Sequence, residues 1–135
     1  MKITDVRFLR VSGSWNYDGP LGEDRLVRPV DIYPEFKEEG PGWFGPDAEP
    51  PYPVSQVFVL VDTDEGVTGM YGPTQDDVAR IIQNQLARIL IGENPHAVER
   101  IWDKMYRHSI HGRKGPTMMA ISQVDLALWD LKGKL

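Results

Sequence analysis

Hydrophobic and polar positions along this chain change period once, from two to about 3.6. From Lys2 to Val11, the apolar residues Ile3, Val6, Phe8 and Val11 are set against Lys2, Arg7 and Arg10, which predicts a β-strand. The run Gln56-Val-Phe-Val-Leu-Val-Asp62 predicts a second strand and Val67–Tyr71 a short third. Asp64-Glu-Gly66 supplies a tight turn between them, so the three make an antiparallel meander. The period then lengthens. Thr74 is placed to cap a helix whose first turn carries Asp76 and Asp77, the sign of charge that a helix N-terminus favours. Val78, Ile81, Ile82, Leu86, Ile89 and Leu90 form its apolar stripe, and Gly92 ends it. Asn94-Pro95 is a second start signal, a cap followed by proline at the first helical position, for a helix with Val98, Ile101, Trp102, Met105 and Tyr106 on one face. His111-Gly-Arg-Lys-Gly115 reads as a turn, and Pro116 opens a last helix. Three strands followed by three helices is an α+β order: a three-stranded antiparallel meander followed by a helical bundle.

Two stretches stand outside this regularity. Residues 12–55 hold eight of the chain's eleven prolines together with Trp15, Tyr17, Tyr33, Phe36, Trp43, Phe44 and Tyr52. A long irregular loop is usually functional or disordered, and disorder goes with few aromatics, so the expectation is a lid that packs on something. The last helix sets Ile121, Val124, Leu128, Trp129 and Leu131 on or near one face and stops at Gly133. No later element in the sequence covers that face, so it is expected to be the first helix of something larger that has been cut away. The division that follows is 1–116 as one domain and 117–135 as the helix leading onward.

Composition narrows the classes. The 135 residues fit one domain, which at this size buries roughly 65–70% of its unfolded surface. With 41% hydrophobic and 26% charged residues and a net charge of -5 of interspersed signs, the chain has the balance of a globular protein without a nucleic-acid footprint. The absence of cysteine excludes disulfides, thiol catalysis and metal–thiolate sites. No run approaches the ~18 apolar residues of a membrane span, and no secretory segment precedes the first strand; a cytoplasmic protein is expected.

Candidate chemistry is sparse. Asp62-Thr-Asp-Glu-Gly66 lacks the spacing of a calcium loop, which needs glycine at its sixth position and glutamate at its twelfth. Gly66, Gly69 and Gly72 have the wrong first gap for a dinucleotide loop and no βαβ unit around them. His108 and His111 are three apart, but nothing acidic lies beside them and the helix is expected to end between them. Gly112-Arg-Lys-Gly-Pro-Thr117 puts two cations just before a helix N-terminus, where a carboxylate or phosphate can dock, with Arg113 the better bidentate partner; a solvated basic turn or a subunit contact fits the same residues. In the long loop, Arg25, Arg28 and Tyr33 offer two guanidinium forks and a phenol, which suit the carboxylate and hydroxyls of a sugar acid; surface salt bridges fit each residue taken singly.

Ala120, Ser122, Val124, Asp125, Ala127, Leu128, Asp130, Gly133 and Lys134 resemble a motif of the mandelate racemase and muconate-lactonising group of the enolase superfamily, with Gln123 standing where that group usually has a small residue. The resemblance implies an N-terminal capping domain that precedes a (β/α) barrel. Arg28-Pro-Val-Asp-Ile-Tyr-Pro-Glu-Phe36, the Asp-Lys-Met-Tyr run at 103–106 and Gly112-Arg-Lys-Gly115 look like segments of its rhamnonate dehydratase branch. What this implies is a Mg²⁺-dependent acid-sugar dehydratase, which removes an α-proton and then eliminates water. Its base and its metal-binding carboxylates would stand on the barrel, leaving this chain a lid, substrate contacts and no activity of its own. A small-molecule sugar acid, the barrel and further copies in a homo-oligomer are the implied partners; nucleic acid and membrane are not. A racemase or cycloisomerase of the same superfamily, or a stand-alone α+β binding module, are the other readings.

Overall fold

The computed structural model describes residues 1–18, 27–37 and 49–135. It divides into two compact units, one of Met1–Val11 with Ser55–Leu135 and one of Ser12–Val54.

The expected architecture is present: a three-stranded antiparallel sheet followed by helices. Strands β1 (Ile3–Trp15), β2 (Tyr52–Thr63) and β3 (Thr68–Thr74) lie in that order. β2 and β3 pair from Asp62↔Thr68 to Val57↔Thr74, with the register slipping between Val57 and Val59. The turn between them closes through Gly66, whose φ of 76° suits glycine and whose N–H reaches the Thr63 carbonyl at 3.2 Å. Asp62 ties the strands together. Its carboxylate accepts Arg7 Nε at 2.5 Å and Thr68 Oγ1 at 2.6 Å, and the Arg7 bond above all holds its pKa below the usual carboxylate range.

β1 runs past Val11 to Trp15, and β2 begins at Tyr52 rather than Gln56. The expected irregular loop of 12–55 is therefore strand at both ends. Ser12, Gly13 and Ser14 carry no apolar signal, and sheet pairing extends strands that side-chain periodicity does not mark. Within the described part of that loop, Pro29–Ile32 form a 3₁₀ turn and Pro34–Lys37 the short helix α1.

Thr74 does not cap the next helix. It remains in β3 with a buried hydroxyl that meets no protein partner, while Gln75 takes the N-cap position and its carbonyl accepts Ala79 N–H at 2.9 Å. Helix α2 (Asp76–Ile81) passes through a π-helical turn (Ile82–Leu86) into α3 (Ala87–Leu90). The buried residues explain the turn. Val78, Ile82, Leu86 and Leu90 are each at most 1% exposed and recur every four residues. On an ideal α-helix that spacing drifts by about 40° per step, and a wider turn takes up the drift. Ile81 and Ile89 are only half-buried as a result.

Asn94-Pro95 does not begin a helix either. Asn94 folds an Asx turn, its side chain accepting His96 N–H and its carbonyl accepting Ala97 N–H, both at 3.0 Å. Helix α4 (Val98–His108) starts one turn later, so His96 lies outside it.

Helix α5 (Pro116–Gly133) overturns the expectation of an uncovered face. Ala120, Ile121, Val124, Ala127, Leu128 and Leu131 are all buried, the first five packed with Val59 and Val61 of β2, Val78 and Ile82, and Ile101 and Met105 of α4. The helix lies against β3 at Gly69, where an added Cβ would fall 2.1 Å from the Ala127 carbonyl oxygen. Its last turns are clasped to the same strand. Asp130 Oδ2 accepts the Met70 backbone N–H at 2.8 Å, and Lys134 Nζ donates to Asp130 at 2.6 Å and to the Thr68 carbonyl at 2.9 Å.

Candidate functional site

Of the four sequence-derived candidates, Arg28 and Tyr33 fall on one short segment of the Ser12–Val54 unit. Pro29 fixes its own φ and pre-shapes the turn that follows. Arg28 precedes that turn. Its backbone N–H donates to Asp31 Oδ2 at 2.7 Å, and its guanidinium donates to Asp31 Oδ1 at 3.3 Å and to the Phe36 carbonyl at 3.1 Å. The guanidinium thus folds the segment from 28 to 36. Tyr33 ends the turn, with its N–H on the Val30 carbonyl at 3.0 Å, and its side chain is 52% exposed. Val27 and Ile32 are more exposed still, at 87% and 78%. In the same unit Trp15 stacks on Tyr17 at 4.9 Å with an interplanar angle of 7°, and meets the buried Tyr52 at 6.0 Å. Composition flagged these rings, but the strand that carries Trp15 was hidden by its Ser-Gly-Ser lead. Arg25 lies outside the described residues.

Arg113 belongs to the other unit, in the turn before α5. Gly112 lets that turn close on the helix. Its N–H bonds the Ser109 carbonyl at 3.1 Å, and a Cβ there would meet Ser109 Oγ and Thr117 Cγ2 at 2.4 Å. Gly115, at φ 68°, is the N-cap, so no side chain caps the first N–H groups of α5. The Arg113 guanidinium lies 5.1 Å from the Tyr106 ring centre, a cation–π pair that holds the cation beside the helix start.

His108 ends α4 with Nε2 3.2 Å from Arg88 Nη2, while His111 sits in the turn, so the two do not form a ligand pair. No group of three His, Asp or Glu side chains among the described residues is placed to hold a metal ion. The resemblance places the implied magnesium on the barrel, and the described residues offer it no ligand set. Nor is any described helix long and apolar enough to cross a membrane.

With this geometry in view, the comparisons are decisive at the level of family. Residues 53–135 match mandelate racemase / muconate lactonizing enzyme, N-terminal domain. The chain belongs to the mandelate racemase/muconate lactonizing enzyme family. It is similar to an L-rhamnonate dehydratase of Saccharopolyspora erythraea, 34% identical over 142 residues that cover 100% of this chain and 35% of that protein. It is also 43% identical over 84 residues to a D-galactonate dehydratase family member of Pseudarthrobacter chlorophenolicus, covering 58% of this chain and 20% of the relative. Among solved structures, it resembles a racemase from Streptomyces coelicolor A3(2) with bound magnesium, with a TM-score of 0.54 and 35% identity over 59% of this chain and 26% of that one. The chain thus spans about a third or less of the length of these relatives. Within the family match, the Asp130 and Lys134 of the sequence motif serve the clasp on β3 described above.

Proposed function

We propose that this chain is the capping and specificity domain of a Mg²⁺-dependent acid-sugar (aldonate) dehydratase, working in the cytoplasm with its barrel and as a homo-oligomer. One observation carries the choice of dehydratase. Similarity to an L-rhamnonate dehydratase extends over 100% of the chain, and so takes in the segment that precedes residue 53, where the family match begins. The reaction is removal of the proton α to the carboxylate followed by loss of the β-hydroxyl as water, leaving a 2-keto-3-deoxy acid. When bound, magnesium would supply positive charge against the negative charge that develops as a lysine or histidine base takes the proton. The described residues include no ligand set for that metal, so no step is assigned to them.

The part of this chain is recognition. Tyr33, presented by its turn, offers a phenol to the sugar hydroxyls, and Arg28 holds that turn while directing positive charge toward a carboxylate. Arg25 and Arg113 are proposed as further carboxylate contacts. The test is product formation by the whole enzyme on a panel of aldonates. Formation of 2-keto-3-deoxy acid, with KM raised in Arg28→Ala and Tyr33→Phe, supports the reading, and the 135 residues alone are expected to turn nothing over. Inversion of a stereocentre without loss of water would replace it with the racemase reading, which similarity to the Streptomyces coelicolor racemase favours.

A further inference from the structure

On the outer face of α4 and α5, away from the core residues, runs a row of aromatic rings. Trp102 stacks on Tyr106 at 5.0 Å, and Trp129 stands on the neighbouring helix. Each end of the row already holds a cation: Arg113 lies over Tyr106 at 5.1 Å and Lys132 over Trp129 at 4.8 Å. The middle does not. There a cleft of about 240 Å³ opens between Val98, Glu99, Trp102, Asp125 and Trp129. Its two indoles remain 36% and 51% exposed, a large amount of apolar surface to leave in water. Between them sits Asp125, a carboxylate in the second half of an otherwise apolar helix stripe. Burial pushes its pKa up, more than the neighbouring Trp129 side chain lowers it. Among the described residues no cation pairs with Asp125 or Glu99.

We propose that this cleft receives a single arginine side chain from a protein segment, with the guanidinium on Asp125 and the apolar neighbours of that arginine against Trp102 and Trp129. Charge complementarity selects the occupant. A half-buried carboxylate without a counter-charge is costly, and a cation removes the cost. The aromatic walls favour arginine, whose flat guanidinium stacks on indole while bonding a carboxylate in its own plane. Glu99 at the rim adds negative charge on the approach. This surface is separate from the substrate contacts proposed above and stands whether or not the dehydratase reading does.

The experiment titrates the 135-residue chain with the peptide acetyl-Leu-Leu-Arg-Leu-amide and follows the indole N–H resonances of Trp102 and Trp129. The neutral isostere, citrulline in place of arginine, is the comparison. Saturable shifts with the arginine peptide, at least tenfold weaker for citrulline, are expected. Asp125→Asn keeps the size of the side chain while removing its charge, and it is expected to lose the same tenfold with the remaining spectrum unchanged. Equal affinity for the two peptides, or for Asp125→Asn and the unaltered chain, would overturn the proposal, as would no saturation into the low-millimolar range. A shift at Trp129 that comes from an arginine displacing Lys132, with Asp125 unaffected, would overturn it too.

Discussion

Substituting Gly69 with alanine tests the packing on which the whole domain rests. A methyl group there would stand 2.1 Å from the Ala127 carbonyl oxygen and 2.7 Å from Leu131 Cβ, when ordinary contact begins at 3.4 Å. Neither neighbour is the tip of a flexible chain. One is helix backbone and the other is the first atom of a fully buried side chain, so α5 must move off β3 by more than an ångström. Overpacking of this kind costs about 1–3 kcal/mol. The same displacement stretches the Asp130–Met70 bond, a charge-assisted contact of a class worth about 1.5–3 kcal/mol in full. Against these stands a gain of about 0.5–1 kcal/mol from removing glycine's freedom in the unfolded chain. A net loss of about 2–4 kcal/mol is expected, a large fraction of the ~5–15 kcal/mol that holds a domain folded. Gly133→Ala is the control. It sits in the last turn of α5 with nothing within 4 Å of the added Cβ, so helix propensity stabilises it by up to about 1 kcal/mol. Urea unfolding followed by far-UV circular dichroism separates the two, provided the slope is unchanged. A Gly69→Ala midpoint equal to that of the unaltered chain would refute the close approach and the packing argued from it.

The buried side of α5 gives a second pair. Leu128→Ala should cost about 2–5 kcal/mol and Leu126→Ala, on the solvent side, no more than about 0.5 kcal/mol, measured by the same unfolding assay. Acid should destabilise the domain in a defined way. Asp62, Glu93 and Asp130 are all held below the usual carboxylate range by Arg7, Lys104 and Lys134 respectively, so their contribution is complete above a pH of about 5 and is lost as pH falls through the lowered values. Asp62→Asn should therefore flatten the acid limb of a stability–pH curve. Asp125 runs the other way. Its raised pKa means that the protonated form is favoured by folding, so stability from this group is present in acid and lost as pH rises through the folded value. Asp125→Asn is accordingly expected to raise the melting temperature at neutral pH while weakening the arginine peptide. In the whole enzyme, Arg28→Ala is expected to lower kcat/KM for the sugar acid about 10–100-fold, the worth of one charge-assisted bond; an unchanged value would remove Arg28 from the substrate contacts.

What the sequence made legible was whatever repeats. Val78, Ile82, Leu86 and Leu90 announce a helix at any spacing near four, but not the π turn that keeps them on one side, because that turn answers to the core rather than to local propensity. Thr74 and Asn94 look like caps and are not, since each is the sort of residue that also suits the end of a strand or an Asx turn, and the sheet and the core settle where each helix begins. The sharpest departure is α5. Ile121, Val124, Leu128 and Leu131 of its stripe were legible, although Trp129 turns outward and Ala120 and Ala127 join the buried face; the expectation of an uncovered face failed because the partner surface is β3, whose decisive residue, Gly69, has no side chain to register in any hydrophobic pattern. A glycine in a strand is a signal of close backbone approach as much as of a turn, and here it locates where the helix lies. The two acids of the family motif differ in the same way. Asp130 is occupied in closing the exposed edge of β3, so its presence in the motif follows from the fold. Asp125 does nothing of the kind: it faces a cleft between two tryptophans and is held there against the cost of burial. A motif residue that the domain's own packing does not need is the one to examine for a partner.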